Sequence, residues 1–124
     1  MSIKDSFLMR RLKSIGFACN GVVDLIKSEA NVQVQICCAI AVTFAIVYFN
    51  ISKTEWLLQT ICIGLVLSME AINTSIEGVL DVVHPERHDT IRKIKDISAG
   101  AVLIAAMMSL IIGLNIYLPK LCTT

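Results

Sequence analysis

Charge is scarce in this sequence. Only 17% of its 124 residues are Asp, Glu, Lys or Arg, against 56% hydrophobic, and the mean hydropathy is +0.74. A water-soluble chain of this length needs a polar shell around its core, and too few polar residues are present to coat one. Lipid is the natural alternative solvent. An excess of one sign of charge is missing too. The net charge is +1 and no block of basic residues stands out, so nucleic acid is excluded as a partner. A disulfide framework is also absent. Of Cys19, Cys37, Cys38, Cys62 and Cys122, three lie inside apolar runs and none has metal-ligand spacing, so they read as small apolar packing residues. The opening MSIKDSFLMRRLKSIGF lacks a continuous apolar stretch and is not expected to act as a cleavable signal peptide. No repeat and no low-complexity tract is present.

What is there is apolar and long. One run covers 32–49. A second starts at Trp56, stays helical in pattern to about Val83 and supplies a span over 56–81. A third covers 97–118. Crossing a bilayer takes about 20 residues of helix, with ~17 to 25 tolerated. In lipid every backbone group must be bonded within its own segment, which makes each run a helix. Lys4, Arg10, Arg11, Lys13 and Lys27 precede the first span. Arg87, Arg92, Lys93 and Lys95 separate the second from the third. Only Lys53 and Lys120 fall on the opposite side, so nine of the 11 basic residues share one side. The positive-inside rule puts that side, and the N-terminus, in the cytoplasm of a multi-pass protein. Trp56, Tyr48 and Tyr117 stand near the other ends of the spans, as an aromatic belt would. Residues 50–55 read as a tight outer turn. Residues 84–89 open the cytoplasmic loop, with Pro85 ending the second helix.

Residues 1–30 differ in kind. Leu8, Leu12, Ile15, Cys19, Val22 and Ile26 recur at spacings of four and three, one stripe of a helix. Arg10, Lys13, Asn20, Asp24 and Lys27 lie mostly on other faces, and Arg11 is close enough to the stripe to snorkel. This is the pattern of an amphipathic helix lying on the membrane interface, or of one packed on a partner. Gly16 and Gly21 are expected to weaken or bend it.

The second span carries the chemistry. Glu70, Asn73, Glu77 and Asp81 are spaced by three, four and four, which puts them on one narrow helix face. At about 1.5 Å of rise per residue, Glu70 lies about 10 Å deeper than Glu77. A carboxylate inside a span costs roughly 2.5 to 3.5 kcal/mol at the centre, so a row of them implies a use beyond packing. Glu29, at the end of the first helix, is a second acidic candidate. A pair of carboxylates suits Mg²⁺, which takes one or two plus substrate phosphates and keeps some water. Lys95 and Asp96 stand at the entry of the third span, where a lysine can meet phosphate as a point charge. Ser98, Ala99, Gly100 and Ala101 form a small-residue face for close helix approach. A metal, a cation and a base are what phosphoryl transfer needs. The chain has no G-x-x-x-x-G-K-[ST] loop and no kinase catalytic-loop motif, so the residues alone leave open an intramembrane carboxylate enzyme or a transporter.

The run Glu70-Ala-Ile-Asn73-Thr-Ser-Ile-Glu77-Gly-Val-Leu-Asp81, followed by Lys95-Asp96-Ile-Ser-Ala-Gly-Ala-Val-Leu-Ile, closely resembles the prokaryotic diacylglycerol kinase and undecaprenol kinase family. The resemblance covers nearly the whole chain. It implies an all-α integral membrane protein, three transmembrane helices plus the interfacial helix, forming one kinase domain over 1–124. It implies a homotrimer in the bacterial inner membrane, with active sites shared between neighbouring subunits. It further implies that Glu70 is the catalytic base and that Glu29 and Glu77 bind Mg²⁺ against the phosphates of ATP. Lys95 and Asp96 match the pair that contacts the nucleotide, and Glu86, Arg87 and His88 fall on the loop that does so. Arg10 matches a basic position near both nucleotide and lipid. Asn73 and Asp81 match further polar residues of the site. Phe17 stands where the diacylglycerol kinases have a tyrosine, keeping the ring without the hydroxyl. The run 98–101 is nearer to the Ala-Ala-Gly-Ala of undecaprenol kinases than to the Gly-Ser-Ala-Ala of diacylglycerol kinases. Ala99 thus replaces a serine near the lipid, and the acceptor leans to a polyprenol, with diacylglycerol as the rival. A small proton-coupled transporter could hold intramembrane glutamates too. It would need a route to both sides, whereas here the ionisable groups gather on one. A non-catalytic assembly subunit would have no use for the carboxylate row.

Overall fold

The computed structural model describes residues 3–122, without the side chains of residues 4 and 5, so that of Lys4 lies outside the described residues. Four helices follow one another: α1 (Ile3–Ser28), α2 (Ala30–Phe49), α3 (Lys53–Val83) and α4 (Asp89–Cys122). The last three are each long and apolar enough to cross a membrane. The chain divides into two compact units between Val34 and Gln35.

The first unit is α1 with the start of α2. α1 runs unbroken through Gly16 and Gly21. A lost helix preference of about 1 kcal/mol per glycine is small beside a ladder this long. The helical bonding barely falters at Glu29. Its N–H donates to Leu25 O at 3.0 Å, and Gln33 N–H donates to Glu29 O at 3.2 Å. The Gln33 side chain then donates to Ile26 O at 3.0 Å, one of the carbonyls a helix end leaves without an internal partner.

The second unit runs from Gln35 through α4. α2 stops at Asn50, whose φ of 51° is left-handed, a conformation asparagine tolerates better than most residues. Ile51 N–H closes the end by donating to Ile46 O at 3.4 Å, the longer bond of a Schellman motif. The turn is shorter than the expected 50–55. Ser52 caps α3 by accepting from Glu55 N–H at 3.2 Å, and the Glu55 side chain accepts from Ser52 N–H at 3.2 Å. This reciprocal capping box starts the helix at Lys53, and S-x-x-E was its sequence signature. Ser52→Ala is expected to cost about 1 kcal/mol, read as a lower thermal midpoint in detergent. At its other end α3 stops at His84, whose N–H donates to Leu80 O at 2.9 Å, ahead of Pro85 as expected.

α4 begins at Asp89 rather than at 97. The apolar run marks the part suited to lipid, while the charged turns before it are helical as well. His88 opens this helix by accepting from Thr90 N–H on Nδ1 at 3.1 Å. Asp89 in the first turn suits the positive end of the helix dipole. The helix also runs past Pro119 to Cys122.

α3 and α4 pack side by side and antiparallel. From the turn end to the loop end, Lys120 Nζ meets Glu55 Oε1 at 3.2 Å, Tyr117 OH donates to Gln59 Oε1, Ser109 Oγ donates to Cys62 O at 3.5 Å, and Lys95 Nζ meets Asp81 Oδ1 at 2.7 Å. Tyr117 stands in the last turns of α4, near the span end as expected, and its hydroxyl does not point away from the helices. It turns inward to Gln59 and to Val42 O at 3.4 Å, because a buried amide oxygen offers a better partner than an apolar surface. Tyr48 and Trp56 are exposed as expected. Within the chain, a Cβ at Gly100 would meet nothing within 4 Å.

The buried side chains of the seam are unusually polar: Gln59, Cys62, Glu70 and Asn73 on α3, with Ser98, Ala105 and Ile116 on α4. Large apolar side chains such as Phe44, Val47, Leu103 and Leu110 are exposed. In water that arrangement would be inside out. In lipid the apolar residues already have their solvent, and polar groups gather between helices.

Candidate functional site

The four polar residues of α3 share one face, and their exposure rises along it. Glu70 is 3% exposed and Asn73 8%, Glu77 is half-buried, and the Asp81 side chain is 65% exposed. The row therefore leads from the helix seam out to the end that carries the 84–88 loop. Such a gradient lets one helix present a carboxylate to an apolar molecule and others to a solvated one.

Glu70 is held rather than merely buried. Gln35 Nε2 on α2 donates to Glu70 Oε2 at 3.4 Å. Sequence reasoning gave Gln35 no role. Its one signal is an amide standing, like Gln33, in a mostly apolar run. A carboxylate at this depth needs a donor, and a glutamine supplies one without adding a second charge.

At the open end of the row a cavity of about 810 Å³ is lined by Asp81, residues 84–89, Ile91, Arg92 and Lys95. It is of the size that holds small-molecule ligands. The structure thus brings together five expected site residues: Asp81, Glu86, Arg87, His88 and Lys95. Three cationic or potentially cationic chains, Arg87, Arg92 and Lys95, share its wall with the first turn of α4, whose N–H groups and dipole favour an anion. The His84 and His88 rings stand edge to face with centroids 5.4 Å apart, and their tautomers differ. His84 Nδ1 donates to Glu86 O at 3.0 Å, whereas His88 Nδ1 accepts from Thr90 N–H. In neutral His88 the proton is therefore on Nε2.

Lys95 is tied to Asp81 in this state, which the sequence did not reveal although both were candidates. Asp96 is exposed beside it and does not line the cavity. Glu77 lies off the cavity wall as well, farther down the row. Ala99 is exposed on α4, next to buried Ser98. Arg10, Phe17 and Glu29 belong to the first unit. Arg10 and Phe17 are exposed on α1, and half-buried Glu29 occupies the break before α2.

Known proteins match this chain over most of its length. Residues 16–117 fit the prokaryotic diacylglycerol kinase family. An undecaprenol kinase of Bacillus subtilis is 37% identical over 114 residues, covering 92% of this chain and 93% of the relative. A diacylglycerol kinase of Synechocystis is 30% identical, covering 89% of this chain and 63% of the relative. A diacylglycerol kinase of Escherichia coli is 28% identical, covering 82% and 84%. With three apolar helices long enough to span a bilayer and a family match that includes the whole carboxylate row, this multi-pass membrane chain belongs to the prokaryotic diacylglycerol kinase family.

Proposed function

We propose that this lipid kinase moves the terminal phosphate of ATP to the hydroxyl of a membrane polyprenol of the undecaprenol type. The observation that carries the reading is the graded row on α3, which joins a buried carboxylate to a solvent-open, cation-lined cavity. The greater likeness to the undecaprenol kinase than to the two diacylglycerol kinases supports the choice of lipid.

In this reading the cavity takes the nucleotide. Glu86, Arg87, His88, Lys95 and Asp96 contact ATP, and the family resemblance gives Arg10, Phe17 and Glu29 nucleotide contacts as well. Glu29 and Glu77 hold Mg²⁺. Among the described residues no three of His, Cys, Asp and Glu gather into a metal cage. Two carboxylates completed by phosphate and water fit Mg²⁺ all the same. The ion, when bound, shields phosphate charge. Glu70 accepts the proton of the lipid hydroxyl. The hydroxyl oxygen bonds to the γ-phosphorus, and the bridging P–O bond breaks with its electrons leaving on ADP. Asn73 and Asp81 support the row, and Ala99 and Arg10 border the lipid. The whole chain acts as one domain, with α1 lying on the cytoplasmic interface of the cell membrane, and it works as a homotrimer with shared sites.

Purified protein given labelled ATP, with undecaprenol and diacylglycerol offered in parallel, is expected to label undecaprenol faster. Faster labelling of diacylglycerol would reverse the choice of lipid, and transfer to neither would end the kinase reading. The orientation has its own test. A cysteine placed at Lys53, in a background without the five native cysteines, is expected to react with impermeant reagent added outside the cell. Reaction only after the cytoplasm is opened would reverse the topology.

A further inference from the structure

Among the described residues four buried side-chain oxygens have no hydrogen-bond partner: Gln35 Oε1, Asn73 Oδ1, Thr74 Oγ1 and Ser98 Oγ. Asn73 and Ser98 are the two that belong to the buried residues of the α3–α4 seam. Each residue is 8% exposed. The case of Ser98 is the more telling, because a serine or threonine within a helix can satisfy its hydroxyl on the carbonyl four residues back. Thr43, Thr60, Ser75 and Ser109 all do so, at 2.7 to 2.9 Å. Half-buried Thr74 and buried Ser98 do not, and of these two Ser98 is the more deeply buried. An unmet hydroxyl away from water is unfavourable, so its orientation signals a partner that arrives from elsewhere.

The helix register puts the two residues at one level of the seam. Ser109 on α4 reaches Cys62 on α3 across the seam. Eleven residues farther along each antiparallel helix come Ser98 and Asn73. Eleven residues are close to three turns at about 3.6 per turn, so the second pair repeats the placement of the first. Asn73 stands between the two carboxylates of the row, about 4.5 Å along the axis from Glu70 and about 6 Å from Glu77. An amide oxygen accepts a hydrogen bond, and a serine hydroxyl can donate one. Together they match one small group that both donates and accepts, which is an alcohol hydroxyl.

We infer that Ser98 and Asn73 form a two-point seat for the acceptor hydroxyl: Ser98 Oγ–H donates to the hydroxyl oxygen, and Asn73 Oδ1 accepts its single hydrogen as the lipid docks, until rotation about the C–O bond turns that hydrogen to Glu70 for transfer. The inference rests on the lipid kinase reading. It gives Ser98 a positioning role at a place where the two family versions have alanine or glycine. Seating the oxygen between the base and the phosphate-facing carboxylate fixes the line of attack, and it leaves the nucleotide untouched.

The test is Ser98→Ala, assayed at saturating ATP with whichever of undecaprenol and diacylglycerol the wild type phosphorylates. One neutral hydrogen bond corresponds to a rise of roughly three- to tenfold in the KM for the acceptor, with the KM for ATP unchanged. Ser98→Thr, which retains a hydroxyl, is expected to keep the acceptor KM closer to wild type. Without acceptor, Ser98→Ala is expected to unfold no earlier than wild type, since the lost hydroxyl had no partner there. An unchanged acceptor KM overturns the inference alone. So does an earlier unfolding without acceptor, which would show that the hydroxyl already serves the fold through an internal water. If the wild type transfers phosphate to neither alcohol, the kinase reading fails and this inference falls with it.

Discussion

Glu70→Gln is expected to lower kcat by on the order of 10²-fold or more, the usual scale for a lost general base, and to leave ATP affinity close to wild type. The argument is one of position. Glu70 is the innermost carboxylate of the α3 row, 3% exposed and bonded by Gln35. It lies about two turns from Glu77 and away from the cavity lined by the 84–89 loop. A group placed there can reach a hydroxyl rising from the lipid, but it has no phosphate to bind. Glutamine keeps the shape, and its carbonyl oxygen can still accept from Gln35, so the fold should persist. Turnover and nucleotide affinity measured on the same folded variant settle the matter. If affinity falls while turnover at saturation stays intact, Glu70 is a nucleotide ligand and the proposed division of labour along α3 is wrong.

Glu77→Gln and Glu29→Gln should each shift the Mg²⁺ dependence instead. Both changes preserve volume and remove the negative charge that a hard cation requires of its ligands. Loss of even an outer-shell partner costs about 10- to 100-fold in metal affinity, so at least about tenfold more Mg²⁺ should be needed for half-maximal rate. Glu77 is half-buried one turn from Asp81, and Glu29 sits where α1 gives way to α2. A rate titration against Mg²⁺ at fixed ATP reads the effect. An unshifted midpoint in either variant removes that residue from the metal site.

The helices, their order and the spacing of the carboxylates were legible in the sequence because each rests on local pattern. Apolar runs of span length permit only helix in lipid, and spacings of three and four put Glu70, Asn73, Glu77 and Asp81 on one face. The helix limits were harder to place. Counting apolar residues finds the part suited to lipid and points to 97, whereas the charged first turns of α4 begin at Asp89. Ser52 and Glu55 look like turn residues in the sequence, yet together they make the cap that begins α3. Pairings across helices were not legible at all. That Gln35 serves Glu70, that Lys95 meets Asp81 and that Tyr117 turns inward to Gln59 depends on the register of α2, α3 and α4, which no local pattern encodes.

The capped start of α3 makes that helix a ruler. Its first residue is Lys53, with exposed Trp56 just beyond, a residue suited to the edge of the hydrocarbon. Measured from Trp56 at about 1.5 Å per residue, Glu70 lies near 21 Å and Glu77 near 32 Å. The hydrocarbon of a bilayer is about 30 Å thick. The far boundary therefore falls between the two carboxylates, and one rigid rod crosses from oil to water inside its own active face. In the proposed reading, a triphosphate seated beyond Glu77 would stay out of the oil, and the tail of a lipid beside Glu70 would stay in it. The only group that must stand at the boundary is the hydroxyl that joins them.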